Sequence, residues 1–274
     1  MTPPDLSQRT AIVTGAAGGL GSAMAAALAR AGSHVVLVDL DPARLAAALA
    51  IFRIQFGAKA QSFVADISNP SQAQAAVDFA KGLTGCLDIL VNNAAIGPTV
   101  LEQSSESKSL KFWESDEKLW RRSVDVNVNG TFLMARCAAP ALIENGWGRI
   151  INISTSLSTM QRAATSPYGV TKAAIEAETQ IWARDLEGTY VTVNTLLPGG
   201  AVDTDFVSAG TRVAASRGKV KLLAPEVMFQ PLLYLASQYS DGVTGCRFVA
   251  SRWDASKDLD VAQMGAREAA FSGA

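Results

Sequence analysis

Short apolar runs alternate with longer stretches of helical periodicity along most of the chain. Seven of these runs are predicted to be strands, over residues 11–14, 34–38, 62–65, 87–91, 149–153, 191–197 and 247–250. The runs are continuously apolar, which is typical of parallel strands that helices cover on both faces. The pattern therefore predicts a single-domain, doubly wound α/β fold with a mostly parallel seven-stranded sheet and helices on both faces.

Local signals mark where the first helices begin and end. A helix over about residues 20–31 is closed by Gly32. Asp41 is placed to cap the next helix, which Gly57 ends, and Asn69 opens a third helix. These caps support the predicted alternation of strand and helix.

Two polar segments, 99–118 and 203–224, interrupt this alternation. Each follows a strand, so we expect both at the carboxyl edge of the sheet, where ligands bind in open α/β folds. They are predicted substrate loops, and ordinary solvated loops are the alternative. The domain is predicted to cover residues 1–253, and the tail 254–274 is compatible with either a short helix or a frayed end.

Composition narrows the classes of function. The 274 residues are 49% hydrophobic and carry a formal net charge of −1, which argues against nucleic acid or a membrane as partner. Cys86, Cys137 and Cys246 are far apart and odd in number, so no disulfide framework is expected. His34 is the only histidine, so no metal site is predicted. No apolar run reaches the roughly 18–20 residues of a membrane helix, and residues 1–10 lack a leader pattern. A cytoplasmic location is therefore expected.

A glycine-rich turn follows the first predicted strand and leads directly into the first helix. Gly15, Gly19 and Gly21 let the backbone turn tightly and approach a ligand closely. The unpaired N–H groups at the start of the following helix favour phosphate. This order of strand, turn and helix predicts a dinucleotide site on a Rossmann-like fold.

Asp39 ends the second strand, eighteen positions after Gly21. A carboxylate there accepts hydrogen bonds from the adenosine ribose hydroxyls and repels a 2′-phosphate. Neither the glycine turn nor Leu40 offers an arginine or lysine to bind that phosphate, and Asp41 already fills the role of helix cap. We therefore predict NAD rather than NADP as the cofactor.

Further candidate contacts follow the third and fourth strands. Asp66 is placed either to reach the adenine amino group or to form a turn before the third helix. The fourth strand ends in two amides followed by two small residues, which let the backbone lie beside a flat ligand. The cofactor-binding residues predicted in this half of the chain are Gly15, Gly19, Leu20, Gly21, Asp39, Leu40, Asp66, Ile67, Asn93, Ala94 and Ala95.

Tyr168 and Lys172 are four residues apart at the start of a predicted helix, so their side chains share one helical face. A tyrosine normally titrates near pH 10. An adjacent ammonium favours the phenolate and lowers that pKa. We therefore predict that Lys172 makes Tyr168 a workable general acid or base. Lys172 is also placed to donate hydrogen bonds to a nicotinamide ribose.

Taken together, these motifs resemble the short-chain dehydrogenase/reductase family over residues 10–249. The resemblance rests on the order of the glycine turn, residues 92–95, Asn127, Tyr168 with Lys172, and the pair 198–199 followed by a threonine. It implies that Asn127 holds a water that links Lys172 to solvent. It also implies contacts around the nicotinamide from Pro198, Gly199, Val202 and Thr204.

One position departs from the family's pattern. A serine is usual thirteen residues before the tyrosine, and this chain has Thr155 there. Threonine also donates a hydrogen bond to a substrate oxygen, while a small register shift would make Ser156 the partner instead. After the last strand, residues 250–253 replace the usual acid and paired glycines, which leaves the C-terminal subunit contact and the floor of the substrate site open.

The resemblance implies an NAD-dependent oxidoreductase that transfers a hydride between a secondary alcohol or ketone and nicotinamide. The candidate catalytic residues are Asn127, Thr155, Ser156, Tyr168 and Lys172, with Tyr168 as general acid/base. The alternative is a non-catalytic NAD-binding or sensing protein on the same fold. A methyltransferase would not need the tyrosine–lysine pair, and no Gly-Lys-Ser/Thr completes the glycine turn of a nucleotide triphosphatase.

Two further expectations concern partners. Relatives in the family commonly form dimers and tetramers through the helices that correspond to residues 118–144 and 168–187, so a homo-oligomer, a homotetramer in its larger form, is expected. A small-molecule substrate is expected. Five side chains are candidates for an apolar wall of its site, although core or subunit packing is the more frequent use of such residues: Phe112, Trp113, Met160, Phe206 and Val207.

Overall fold

A computed structural model describes residues 4–97 and 111–268. The seven predicted strands are confirmed, and their ends lie within two residues of the predicted ones. They are β1 Thr10–Thr14, β2 His34–Asp39, β3 Ala60–Val64, β4 Ile89–Asn92, β5 Gly148–Ile153, β6 Val191–Leu197 and β7 Arg247–Val249. All seven are parallel and pair in the order β3-β2-β1-β4-β5-β6-β7, as a doubly wound fold requires.

The predicted count of seven strands is one too low, because the tail adds an eighth. Strand β8, Arg267–Glu268, pairs antiparallel with β7, and Arg247 lies opposite Glu268. A two-residue strand has no room for a periodic pattern, so no periodic signal marks it in the sequence. The tail is therefore neither only a helix nor frayed: over its described part it forms a helix and then an edge strand.

Ten α-helices occur in the described residues, and the predicted caps are confirmed. The helices are α1 Gly19–Arg30, α2 Pro42–Phe56, α3 Pro70–Thr84, α4 Glu117–Val124, α5 Thr131–Glu144, α6 Leu157–Met160, α7 Tyr168–Asp185, α8 Ala209–Ser216, α9 Phe229–Leu235 and α10 Leu259–Ala266. The Asp41 side chain accepts hydrogen bonds from the N–H groups of Ala43 and Arg44 at the start of α2. The Asn69 side chain caps α3 in the same way.

Both faces of the sheet are covered by helices. In β1, Ala11 and Val13 pack into one apolar layer with α1 and α9. Ile12 points to the opposite face and packs with α3 and α5. All three side chains are fully buried. Burial of a side chain the size of isoleucine stabilises a fold by roughly 1.5–3 kcal/mol.

The order of the strands fixes where a ligand can bind. β1 lies between β2 and β4, so the direction of winding reverses there. The crevice outside the carboxyl ends of the strands at such a point is the usual ligand site. The segment 203–224 lies beyond β6 and contains α8, and Val202 forms a bridge with Leu223. Of the other predicted loop, residues 98–110 lie outside the described residues.

None of the helices within residues 4–97 and 111–268 is both long enough and apolar enough to span a bilayer.

Candidate active site

The glycine turn is packed so tightly that side chains are excluded at two positions. Gly15 has φ +65°, and a Cβ there would lie 2.8 Å from Ala94 Cα. A Cβ on Gly21 would lie 2.1 Å from the carbonyl oxygen of Gly15. The turn therefore keeps a backbone surface at the start of α1, which is the local structure that the sequence predicted for phosphate.

Asn93 and Thr14 hold this turn against β4. The Asn93 side-chain amide donates to the carbonyl oxygens of Thr14 at 2.9 Å and Gly15 at 3.2 Å. The Thr14 hydroxyl accepts from the N–H groups of Asn93 and Ala94, both at 3.0 Å. The amide of Asn93 is thus used to join two strands. Ala94 and Ala95 follow directly, and their contact with a flat ligand stays a prediction.

Asp39 lies at the end of β2 beside the glycine turn. Its Oδ2 accepts from the N–H of Ala17 at 3.0 Å, and its Oδ1 accepts from the N–H of Asp41 at 3.2 Å. These bonds orient the carboxylate along the edge of the sheet. Leu40 is exposed beside it.

Arg44 is a further candidate, which its place in the sequence does not reveal. Its Nη2 lies 3.0 Å from the point that a Cβ on Gly18 would occupy, so the guanidinium lies over the glycine turn. The same group is 3.9 Å from the carboxylate of Asp205. Arg44 stands outside the glycine turn and five residues after Asp39, and the first turn of α2 brings it back over the turn.

Asp66 is engaged by neighbouring side chains. Its carboxylate accepts from the Ser68 hydroxyl at 2.6 Å and from Arg122 Nη2 at 2.8 Å. Burial works to raise the pKa of Asp66, but the hydrogen bonds from Ser68 and Arg122 outweigh it and lower the pKa below its usual value. Ile67 beside it is buried. The turn-forming role therefore holds, and contact with adenine stays a prediction.

Tyr168 and Lys172 lie on the first turns of α7 with their side chains buried. Lys172 Nζ lies 5.8 Å from the centroid of the Tyr168 ring and donates to the carbonyl oxygen of Ile153 at 2.7 Å. Burial raises the pKa of Tyr168 to about 12, against a lowering contribution from a hydrogen bond with the Thr155 side chain. Burial lowers the pKa of Lys172 to about 8. The predicted lowering of the tyrosine pKa is therefore wrong for this arrangement, because desolvation of the phenol is the largest contribution.

Thr155 and Ser156 differ in what their hydroxyls contact. The Thr155 side chain lies beside the phenol of Tyr168, where it works to lower the pKa of that phenol. The Ser156 hydroxyl caps α6, where it accepts from the N–H of Thr159 and lies 3.0 Å from the Ser158 hydroxyl. The geometry thus favours Thr155 of the two alternatives.

Asn127 is fully buried in a π-helical turn, Asp125–Gly130, between α4 and α5. Its Oδ1 accepts from the N–H of Ile96 at 2.7 Å, and its Nδ2 donates to the Ile96 carbonyl oxygen at 3.1 Å and to the Thr171 hydroxyl at 3.0 Å. The amide therefore joins the strand β4 edge to α7. Its predicted water relay stays a prediction.

The residues predicted to surround a nicotinamide lie after β6. Gly199 has φ +86°, and a Cβ there would lie 2.1 Å from Ser251 Oγ. The N–H of Ser251 donates to the carbonyl oxygen of Pro198 at 3.0 Å. Val202 is buried, and the Thr204 side chain faces the glycine turn, where a Cβ on Gly19 would lie 3.5 Å from Thr204 Cβ.

Phe206 packs on Tyr168 after the carboxyl end of β6. The two ring centroids are 5.7 Å apart, with an edge-to-face angle of 60°. The same ring fills the space beside Gly97, where a Cβ would lie 2.3 Å from Phe206 Cζ. Phe206 is one of the five candidates for an apolar wall, and its contact with the tyrosine has no signal in the sequence.

The arrangement combines a backbone cradle, a buried phenol, a buried ammonium and a hydroxyl within one crevice. Among the described side chains, no group of three histidine, cysteine, aspartate or glutamate residues is placed to hold a metal ion. The chemistry that the described groups supply is proton transfer and hydrogen bonding to an oxygen.

Comparison with known proteins identifies the family. A family model described as short chain dehydrogenase matches residues 9–212. A short-chain type dehydrogenase/reductase of Picea abies is 35% identical over 241 residues, covering 82% of this chain and 86% of that protein. An NADPH-dependent aldehyde reductase 2 (chloroplastic) of Arabidopsis thaliana is 32% identical over 268 residues, covering 89% of this chain and 92% of that protein.

A solved structure agrees with these relatives. The crystal structure of 3-ketoacyl-(acyl-carrier-protein) reductase from Brucella melitensis, complexed with NADH, superposes with a TM-score of 0.76 at 30% identity and covers 88% of this chain and 96% of that chain. The family model, the relatives and the shared fold lead to one assignment. The chain belongs to the short-chain dehydrogenase/reductase family of oxidoreductases.

Proposed function

We propose that this protein transfers a hydride between NAD(H) and a small secondary alcohol or ketone, with Tyr168 as general acid/base. The observation that carries the proposal is the buried pair on α7, in which the Lys172 ammonium lies 5.8 Å from the centroid of the Tyr168 ring. Membership of an oxidoreductase family supports the reaction class.

The proposed roles follow from the contacts of each group. In the oxidation direction the Tyr168 oxygen takes the proton of the substrate hydroxyl, and in the reduction direction it returns a proton to the substrate oxygen. Thr155 donates a hydrogen bond to that oxygen and stabilises its developing negative charge. With a pKa of about 8, Lys172 is mainly protonated at pH 7, and its charge favours the phenolate. A bound nicotinamide dinucleotide supplies the hydride acceptor or donor.

Protonation at neutral pH favours one direction. Burial raises the pKa of Tyr168 to about 12, so at pH 7 the phenol carries its proton. A protonated phenol is ready to act as the acid in carbonyl reduction. Oxidation requires the phenolate, and we therefore expect its rate to rise with pH.

The residues of the crevice fit a dinucleotide. Glycines at positions 15 and 21 leave backbone where any Cβ would collide, so the N–H groups of the turn stay accessible to a pyrophosphate. Asp39 is held at the end of β2 by the Ala17 N–H, in the position expected for contact with ribose hydroxyls. This carboxylate is the basis for proposing NAD over NADP, while Arg44 is the cation that an NADP-preferring variant would use.

The cofactor preference is tested at Asp39. Asp39→Ser removes the carboxylate that accepts from the ribose and repels a 2′-phosphate. We expect the ratio of kcat/KM for NADH to that for NADPH to fall about 10–100-fold, because charge-assisted hydrogen bonds are worth about 1.5–3 kcal/mol. Asp41→Ser keeps its helix cap and is the matched control, so its ratio should stay that of wild type. A wild-type enzyme that prefers NADPH would contradict the proposal.

The catalytic role is tested at Tyr168. Tyr168→Phe should bind NADH within twofold of wild type, while the rate of ketone reduction falls at least about 100-fold, the usual contribution of a general acid. Tyr239→Phe, at an exposed tyrosine, is the control. NADH fluorescence titration measures binding, and loss of NADH absorbance measures turnover. Undiminished turnover in Tyr168→Phe would refute the assignment.

A non-catalytic NAD-binding role is the second candidate, because Phe206 packs on the Tyr168 ring. The same assays separate the two. Wild-type protein that binds NADH and reduces no member of a panel of ketones would favour the binding role.

A further inference from the structure

An arginine and a glutamate form a buried ion pair directly behind the segment that carries Thr155. The side chains of Arg247, on β7, and Glu176, on α7, are only 2% and 3% exposed. Arg247 Nε donates to both carboxylate oxygens of Glu176, at 2.8 and 3.0 Å. Burial of two charges is costly, and apolar residues of similar volume often stabilise a core as well or better. Stability alone is therefore a poor explanation for this pair.

The pair holds the Ser154–Thr155 segment at two points. The Ser154 hydroxyl donates to Glu176 Oε1 at 2.8 Å. Arg247 Nη2 donates to the carbonyl oxygen of Thr155 at 2.9 Å. From this held segment, the Thr155 side chain lies beside the phenol of Tyr168.

Glu176 also belongs to the same helix face as the proton-transfer residues. Tyr168, Lys172 and Glu176 recur at intervals of four along α7, so their side chains lie in one row. One rigid helix thus carries both the phenol and the anchor of the hydroxyl that contacts it. Arg247 is itself fixed on its other side, where Nη1 pairs with Glu268 of β8.

We propose that Glu176 and Arg247 are positioning residues that hold the Ser154–Thr155 segment beside Tyr168, so that the Thr155 hydroxyl is presented to the substrate oxygen. This inference rests on the proposed function. Reaction rates depend steeply on such geometry, and a displacement of about 1 Å can cost about 100-fold. The charge-assisted bonds from Nε to both oxygens of Glu176 orient the guanidinium so that Nη2 meets the Thr155 carbonyl oxygen, which an apolar packing contact cannot do.

The first test needs no turnover. The double variant E176Q/R247M removes both charges together, so no buried ion is left unpaired. The protein has four tyrosines, and with ¹³C at Cζ the Tyr168 signal is identified by its loss in Tyr168→Phe. Thr155→Ala gives the chemical shift of the phenol without its partner. E176Q/R247M should move the signal at least halfway to that value, and an unmoved signal would overturn the proposal.

The second test is kinetic. E176Q/R247M should lower kcat about tenfold or more and leave the Kd for NADH within twofold of wild type. R149M/D241N is the matched control, because Arg149 is another buried arginine with a carboxylate partner, at the opposite end of β5. It should leave both constants unchanged. An equal loss of kcat in both double variants, or none in E176Q/R247M, would show that the pair serves stability only.

A single substitution provides the test if E176Q/R247M does not fold. Ser154→Ala removes one side of the clamp and leaves the ion pair intact. It should move the Tyr168 signal in the same direction and lower kcat about threefold, and no change in either would contradict the proposal. Wild-type protein without turnover would count against the proposed function, while the Tyr168 signal would still decide the positioning role.

Discussion

At the scale of single residues, Lys172 links the site to the stability of the fold. Burial lowers its pKa to about 8 from 10.5, so the folded state favours the neutral amine. The free energy of unfolding contains the full stabilisation from a neutral, buried Lys172 above pH 10.5. That stabilisation is lost as the pH falls through about 8. The total change is about 3 kcal/mol, at roughly 1.4 kcal/mol for each pKa unit.

Lys172→Met should remove this dependence. Relative to wild type, we expect the free energy of unfolding of Lys172→Met to rise by about 3 kcal/mol between pH 10.5 and pH 7, measured by urea unfolding at a series of pH values. Lys257→Met, at an exposed lysine, is the control and should follow the wild-type curve. Parallel curves for Lys172→Met and wild type would mean that the amine is not desolvated as the structure indicates.

The same pair shows what a sequence pattern can and cannot predict about residues. Spacing correctly predicted that Tyr168 and Lys172 share a helix face, because the helical period fixes which side chains are neighbours. It gave the wrong sign for the tyrosine pKa, because that sign depends on burial by distant parts of the chain. Phe206, which covers the phenol, is 38 residues away in sequence.

At the scale of elements, the predictable features are those with local causes. The strands β1 to β7 and the caps Asp41 and Asn69 follow from apolar runs and from side chains that bond their own backbone. The long helix expected over 118–144 is confirmed as one uninterrupted helical run, made of α4, a π-helical turn and α5. The turn places Asn127 at the site, as π-turns often do at functional positions. The homo-oligomer expected from these helices stays a prediction.

Elements that owe their form to distant partners were not predictable. Strand β8 exists because the tail folds back on β7, and the ion pair of Glu176 with Arg247 joins residues 71 positions apart. Arg44 reaches the glycine turn only because α2 begins close to β1. Each of these contacts involves isolated residues that no repeating hydrophobic pattern marks. The sequence therefore does not indicate which distant residue each one meets.

At the scale of the whole molecule, residues 204–206 bridge the two halves of the sheet. Thr204 faces Gly19 in the turn after β1, and Asp205 lies 3.9 Å from Arg44 of α2. Phe206 packs on Tyr168 in the other half. The segment therefore lies between the glycine turn after β1 and the phenol of Tyr168. Because Phe206 packs on the Tyr168 ring, we expect this side chain to limit the size of the substrate that reaches the phenol.

Phe206→Ala should widen that access. Without the ring, bulky ketones gain room beside Gly97, while small ketones lose little, so the ratio of kcat/KM for a bulky ketone to that for a small one should rise about tenfold. Val213→Ala, at an exposed valine in α8 of the same loop, is the matched control and should leave the ratio unchanged. NADH-coupled assays over a series of ketones of increasing size measure it. An unchanged ratio in Phe206→Ala would mean that substrates approach Tyr168 from another side, and that the ring serves only to pack the loop against the catalytic helix.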